Sequence, residues 1–173
     1  MSLKKLKIIS VIGIFLLSFI VHYGYEILPT FITSIFFPIN ESLFEHMKLI
    51  TTCYLIWGLI EYKFLNNKIN FKSNLIISII LNIIIFLIIF YPIYLNIDHN
   101  LIVTLFIYLI SIIITQIISY YILRYEKEIF LNKYFFFIIG LIILINIIFT
   151  YYPINCNFFI DYMNKKIGFS NYY

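Results

Sequence analysis

Two short stretches hold most of the side chains able to do chemistry in this sequence. His22 and Glu26 stand four residues apart, and Phe36 to Lys48 reads F-F-P-I-N-E-S-L-F-E-H-M-K. That second stretch gathers Asn40, Glu41, Ser42, Glu45, His46 and Lys48. On a helix a spacing of four puts two side chains on one face. His22 then pairs with Glu26, Glu41 with Glu45, and Ser42 with His46. Imidazole and carboxylate together suit Zn²⁺ or a similar divalent ion. A ligand set of His22 and His46 with Glu26 or Glu45, joined by Asp98 or His99, would leave a place for water. Such a water is acidified and can attack a carbonyl or phosphoryl group, with Glu41 or Glu45 as general base. The spacing is not H-E-x-x-H, so no metalloprotease signature is present.

Plainer readings of the same residues stand beside this one. Asn40 after Pro38 suits a helix N-cap, and Ser42-x-x-Glu45 fits a capping box. Lys48 could pair with Glu45 or Glu41, and His22 with Glu26. His99 falls in a turn, where a solvent-facing role suffices. Two histidines could also serve as axial ligands of a haem.

The elements that must position these groups follow from hydropathy. The chain has 173 residues, of which 63% are hydrophobic and 12% charged, with a mean hydropathy of +1.00. Soluble domains carry roughly a quarter charged residues. Several apolar runs approach the ~20 residues that cross a bilayer. The sequence therefore reads as a single all-α polytopic membrane domain over 1–173, with about five spans near 6–27, 41–64, 73–95, 101–123 and 134–152. The first run follows Lys4, Lys5 and Lys7 like a signal peptide, but no small-x-small site follows it, so it is read as an uncleaved span. Pro29 to Phe37 is too short to cross and predicts a short interfacial helix or re-entrant turn between spans 1 and 2. The tail, 153–173, is too polar to span, and Phe158, Phe159, Tyr162 and Met163 fall on one face of a helix lying in the interface.

Charge sets the orientation. Lys4, Lys5, Lys7, Lys63, Lys68, Lys72, Arg124, Lys127 and Lys133 fall on one side, against Lys48, Lys165 and Lys166, so nine of the 12 basic residues share it. That places the N-terminus in the cytoplasm and the C-terminus outside. The net charge of +4 sits at membrane boundaries, so it points to membrane lipids and away from nucleic acid. With this topology all three histidines and five of the eight acids, Glu26, Glu41, Glu45, Asp98 and Asp161, reach the outer half. Glu61, Glu126 and Glu128 sit among lysines as solvated boundary charges. From Glu45 to Glu61 is about 24 Å of helix, less than the ~30 Å hydrocarbon thickness. One end of that span must therefore hide its charge within the protein, and ionisable groups at such depth are functional candidates. Cys53 and Cys156 form no C-x-x-C, and Cys53 reads as a buried apolar residue. Asn82, Gln116, Asn146, Ser78, Ser111, Thr115 and Ser119 read as interhelical hydrogen-bonding groups.

Pro38-Ile39-Asn40-Glu41-Ser42-Leu43-Phe44-Glu45-His46-Met47-Lys48, preceded by His22-x-x-Tyr25-Glu26, resembles the signature of an uncharacterised family of small multi-pass bacterial membrane proteins. That resemblance implies a fold and a place in the bacterial plasma membrane, with no activity. Ser42-x-x-x-His46 with Asp98 is more faintly similar to the ceramidase-like zinc hydrolases, which implies a catalytic part for Ser42. Their second histidine pair is missing here, and five spans stand where they have seven. Two functional classes remain. One is a metal-dependent hydrolase of a lipid-like or peptide substrate at the outer face. The other is a non-catalytic membrane partner or ligand-binding protein whose polar cluster is structural.

Overall fold

The computed structural model describes residues 1–96 and 101–171, so the expected site residues Asp98 and His99 lie outside the described residues. Seven helices are described: α1 Leu3–His22, α2 Gly24–Ile27, α3 Phe31–Phe36, α4 Leu43–Phe64, α5 Phe71–Asn96, α6 Leu101–Arg124 and α7 Phe135–Tyr151. A 3₁₀ turn, Phe130–Tyr134, leads into α7. Among the described residues four stretches are long and apolar enough to cross a membrane: Leu3–His22, Phe71–Tyr94, Leu101–Arg124 and Phe130–Tyr151. The chain is a multi-pass helical membrane protein. α4 is 22 residues long, but Glu45, His46, Lys48, Glu61 and Lys63 keep it out of that apolar set.

Local chemistry sets the breaks. Ser2 caps α1 by accepting from the Lys5 N–H at 3.3 Å. α1 stops at His22, and Tyr23 (φ −90°, ψ 1°) breaks the run before the single turn of α2. Thr30 and Thr33 make a reciprocal capping box at the start of α3. α3 ends at Phe37, which is extended (φ −106°, ψ 148°), as the residue before Pro38 must be. Ser42 caps α4.

α1, α4, α5 and α6 form a closed ring in which each helix packs on the next, and α7 leans on α5 and α3. Ile14, Leu43, Ile50, Cys53, Ile79, Phe86 and Ile112 make its core. α1 and α4 approach where Gly13 meets Trp57, and a Cβ on Gly13 would overlap the indole ring. Trp57 therefore spends its ring on helix packing. Polar cross-links run through the core: Asn82 Nδ2 donates to Tyr54 Oη at 3.1 Å and to Thr115 Oγ1 at 3.3 Å, and Ser119 Oγ donates to Asn74 Oδ1 at 2.7 Å.

Two expectations are corrected. The tail forms no helix in its described part; it is a three-stranded antiparallel sheet, β1 Ile160–Asp161, β2 Lys166–Ile167 and β3 Ser170–Asn171. Its tight turns place Lys165 and Gly168 at positive φ (51° and 55°), which the 3.6-residue spacing of its aromatics could not reveal. Glu61 is also no solvated boundary charge. It is 5% exposed and paired with buried Lys7 on α1.

Gly13→Val should lower the melting temperature of detergent-solubilised protein, in line with about 1–3 kcal/mol for overpacking. Gly140→Ala, with nothing within 4 Å of the added methyl, should leave it unchanged or raise it. A thermal shift assay on both variants checks this.

Candidate functional site

The start of α4 is held by side chains and by the tail. Ser42 Oγ accepts from the Glu45 N–H at 3.4 Å, and Asn40 Oδ1 accepts from the Ser42 N–H at 2.9 Å. Asn40 thus sits two residues outside the cap and secures it. Only half of the expected capping box forms, because the Glu45 carboxylate turns elsewhere. The tail supplies the rest. Asp161 Oδ2 accepts from the Glu41 N–H at 2.9 Å, and Phe158 O accepts from the Phe44 N–H at 3.1 Å. Asn40 Nδ2 reaches across to Gly168 O at 3.0 Å. Helix N-termini leave their first N–H groups without intrahelical partners; here the tail satisfies that of Phe44, and with it the Glu41 N–H just before the helix.

From this anchored start two ionisable clusters diverge. In the first, Glu45 and Lys48 pair at 2.6 Å while 2% and 0% exposed. Lys48 Nζ also donates to Ser34 O on α3 at 2.7 Å and to Thr150 Oγ1 on α7 at 3.0 Å. Glu45 Oε2 accepts the Ile39 N–H at 2.9 Å. An ion pair buried in apolar surroundings holds when further hydrogen bonds complete it, and this one is completed by three elements. Glu45 and Ser42, two of the three candidate catalytic residues, are thus committed to holding α4 in place.

The second cluster faces α1. Glu41 Oε1 lies 3.3 Å from His22 Nε2, and Oε2 lies 3.7 Å from His46 Nε2. One ligand atom from each of the three residues falls within 4.8 Å of the others. His46 Nδ1 lies 2.9 Å from the Ser42 carbonyl oxygen. A carbonyl only accepts, so the proton sits on Nδ1 and the Nε2 lone pair faces Glu41. Phe86 stacks on the His46 ring (centroids 6.2 Å apart, 16° between planes) and Phe90 lies 6.1 Å away. The cluster lines one side of a cavity of about 420 Å³ whose other walls include Phe19, Leu49, Phe86, Leu105 and Tyr108, with Asn164 and Met163 of the tail at its rim.

Of the expected site residues, the structure brings together His22, His46 and Glu41. Glu26 is exposed on α2, because the break at Tyr23 ends the continuous helix on which the spacing argument relied. A haem would need its ring between the two imidazoles, where the Glu41 carboxylate stands. The sequence grouped Asp161 with the histidines but did not show its task. Fully buried, it also accepts the Met163 and Asn164 N–H groups, each at 3.0 Å, and Asn164 Nδ2 at 2.9 Å. The Asp-x-x-Asn spacing, which favours such side-chain-capped turns, was the available signal.

The family model of DUF6512, described as a family of unknown function, matches residues 1–169. No curated protein and no solved structure matches the chain.

Lys48→Met or Glu45→Gln alone should cost about 3–5 kcal/mol, because each leaves one uncompensated buried partner. The double variant should recover most of that loss. A double-mutant cycle of thermal unfolding in detergent measures the coupling.

Proposed function

The chain belongs to this family of unknown function, and on that premise we propose that His22, Glu41 and His46 form a divalent-metal site of a membrane-embedded hydrolase. The observation that carries the reading is the 4.8 Å convergence of three ligand atoms on the wall of a cavity lined mainly by apolar and aromatic side chains. The His22 Nε2–Glu41 Oε1 separation of 3.3 Å matches the ~3.3 Å between ligands of a tetrahedral zinc ion, and His46 Nε2 lies 3.7 Å from the other carboxylate oxygen. Three protein ligands leave a fourth position open, as catalytic sites do. An ion bound there would supply Lewis acidity and an acidified water for attack on a carbonyl or phosphoryl carbon or phosphorus.

This chain's own residues do the rest. Ser42 O fixes the His46 tautomer, as an outer partner does for metal-binding histidines. Asp161 fixes the Glu41 backbone. Phe86 and Phe90 keep water from the His46 ring, which strengthens every charge interaction beside it. The apolar walls suit a lipid-like chain or an apolar peptide segment. Glu41 takes the third ligand place in this reading, with Glu45 and Ser42 supporting the helix that carries it.

The topology belongs to the same proposal. α4 is a fifth crossing, at the depth of its ring neighbours, with its charges absorbed by Lys7 and by the Glu45–Lys48 pair. The α2–α3 segment lies at the outer interface. Nine basic residues at one end against three at the other support an N-terminus in the cytoplasm and a C-terminus outside the bacterial plasma membrane.

Protein purified in detergent without chelator should carry about one equivalent of zinc or a similar metal, and His22→Ala, His46→Ala and Glu41→Gln should each lose it. A metal-free wild type sinks the proposal and leaves Glu41 as a partner of His22. The orientation has its own test. Cys156 is exposed and Cys53 buried, so a membrane-impermeant maleimide should label intact cells, and Cys156→Ser should abolish the label.

A further inference from the structure

The end of the bundle opposite the His22–Glu41–His46 cluster carries a second cavity of different character. Lys68, Lys72 and Lys133 surround an open space of about 820 Å³, with Glu128 as the acid in its wall. Glu128 Oε1 already accepts from Asn132 Nδ2 at 3.3 Å, so three ammonium groups face one engaged carboxylate. Two of them rest on aromatic faces: Lys68 Nζ lies 4.0 Å from the Tyr62 centroid and Lys72 Nζ 5.2 Å from that of Phe136. Such contacts hold a cation in place without neutralising it.

The floor is rigidly built. Asn132 Oδ1 accepts from the Ser73 N–H at 2.9 Å and from Ser73 Oγ at 2.8 Å, while its Nδ2 donates to Ile69 O at 2.6 Å. Asn70 clasps the same loop, donating to Tyr125 O and Lys127 O at 2.7 and 2.9 Å and accepting the Ile129 N–H at 2.9 Å. An adjoining apolar groove of about 430 Å³ shares Tyr62, Phe71 and Lys72 with this cavity and continues past Leu59, Ile56 and Leu75 along α4 and α5. A soluble anion would use the first space alone. A molecule with an anionic head and a hydrocarbon chain fits both.

We propose that this end of the bundle binds an anionic phospholipid, its phosphate among Lys68, Lys72 and Lys133 and one acyl chain along the Ile56–Leu59–Leu75 groove. Basic clusters at the cytoplasmic membrane surface attract anionic headgroups, and the joined groove adds a recognition element that charge alone lacks. Lys4 and Lys5 lie outside this cavity wall and provide a control in which basic charge is removed elsewhere.

Native mass spectrometry of the detergent-solubilised full chain, titrated with phosphatidylglycerol and with phosphatidylcholine, tests the site. Wild type should retain phosphatidylglycerol roughly tenfold better. K68Q/K72Q/K133Q should erase that preference, K4Q/K5Q should keep it, and all variants should melt with wild type because the changed lysines are exposed. Leu59→Trp, which fills the groove, should weaken retention with the lysines intact. Equal retention of both lipids by wild type, or equal loss in K4Q/K5Q, overturns the proposal. Displacement of the lipid by glycerol phosphate alone also overturns it, since the site would then be one for a free phosphate anion.

Discussion

Lipid cannot solvate a charge, and the start of α4 carries several. The buried Lys48–Glu45 pair answers that constraint, and much of the architecture is arranged to complete it. Lys48 needs the Ser34 carbonyl at the end of α3 and the Thr150 hydroxyl near the end of α7. The chain between α1 and α4 therefore folds back as a short capped helix, and α7 is drawn in from outside the ring. The other end of α4 repeats the solution more simply, with Glu61 taken by Lys7 of α1. A helix too polar for lipid thus becomes the part of the ring most enclosed by protein along its first turns.

The same arrangement exposes Glu41 to the cavity. Because Glu45 is committed to Lys48 and Ile39, and Ser42 to the cap, the remaining carboxylate of the motif is the one left facing the imidazoles. A buried ion pair and a cavity-facing carboxylate are divided between neighbouring residues of one short stretch. His46 joins the cavity side through its position one turn in from Ser42, whose carbonyl orients it.

Much of this was legible from residue order. Hydropathy located the long helices, and the gathering of histidines and acids toward one end followed from counting along them. Pro29 and Pro38 bracketed α3 correctly. The departures have local causes. Spacing of four paired His22 with Glu26, but a helix that stops at Tyr23 no longer obeys that rule, and Glu41 from another element took the place. Asn40 looked like the cap, yet Ser42, two residues on, has the hydroxyl in reach of the Glu45 N–H. The tail's aromatics matched a helical face, while turns at Lys165 and Gly168 made strands. Which acid meets which lysine across distant segments, as with Lys7 and Glu61, is information that lies in packing and not in order along the chain.

The clasp of the tail on the α4 start has a temporal consequence. Glu41 and Asp161 are 120 residues apart, and Asn40 and Gly168 are 128. During translation the Glu41 and Phe44 N–H groups wait for their tail acceptors until nearly the whole polypeptide has left the ribosome. α4 can settle fully among its neighbours only at the last step of biogenesis, when β1 to β3 close over it. A nascent chain stalled before residue 158 would hold its most polar helix in an unfinished state, without the contacts that close its start.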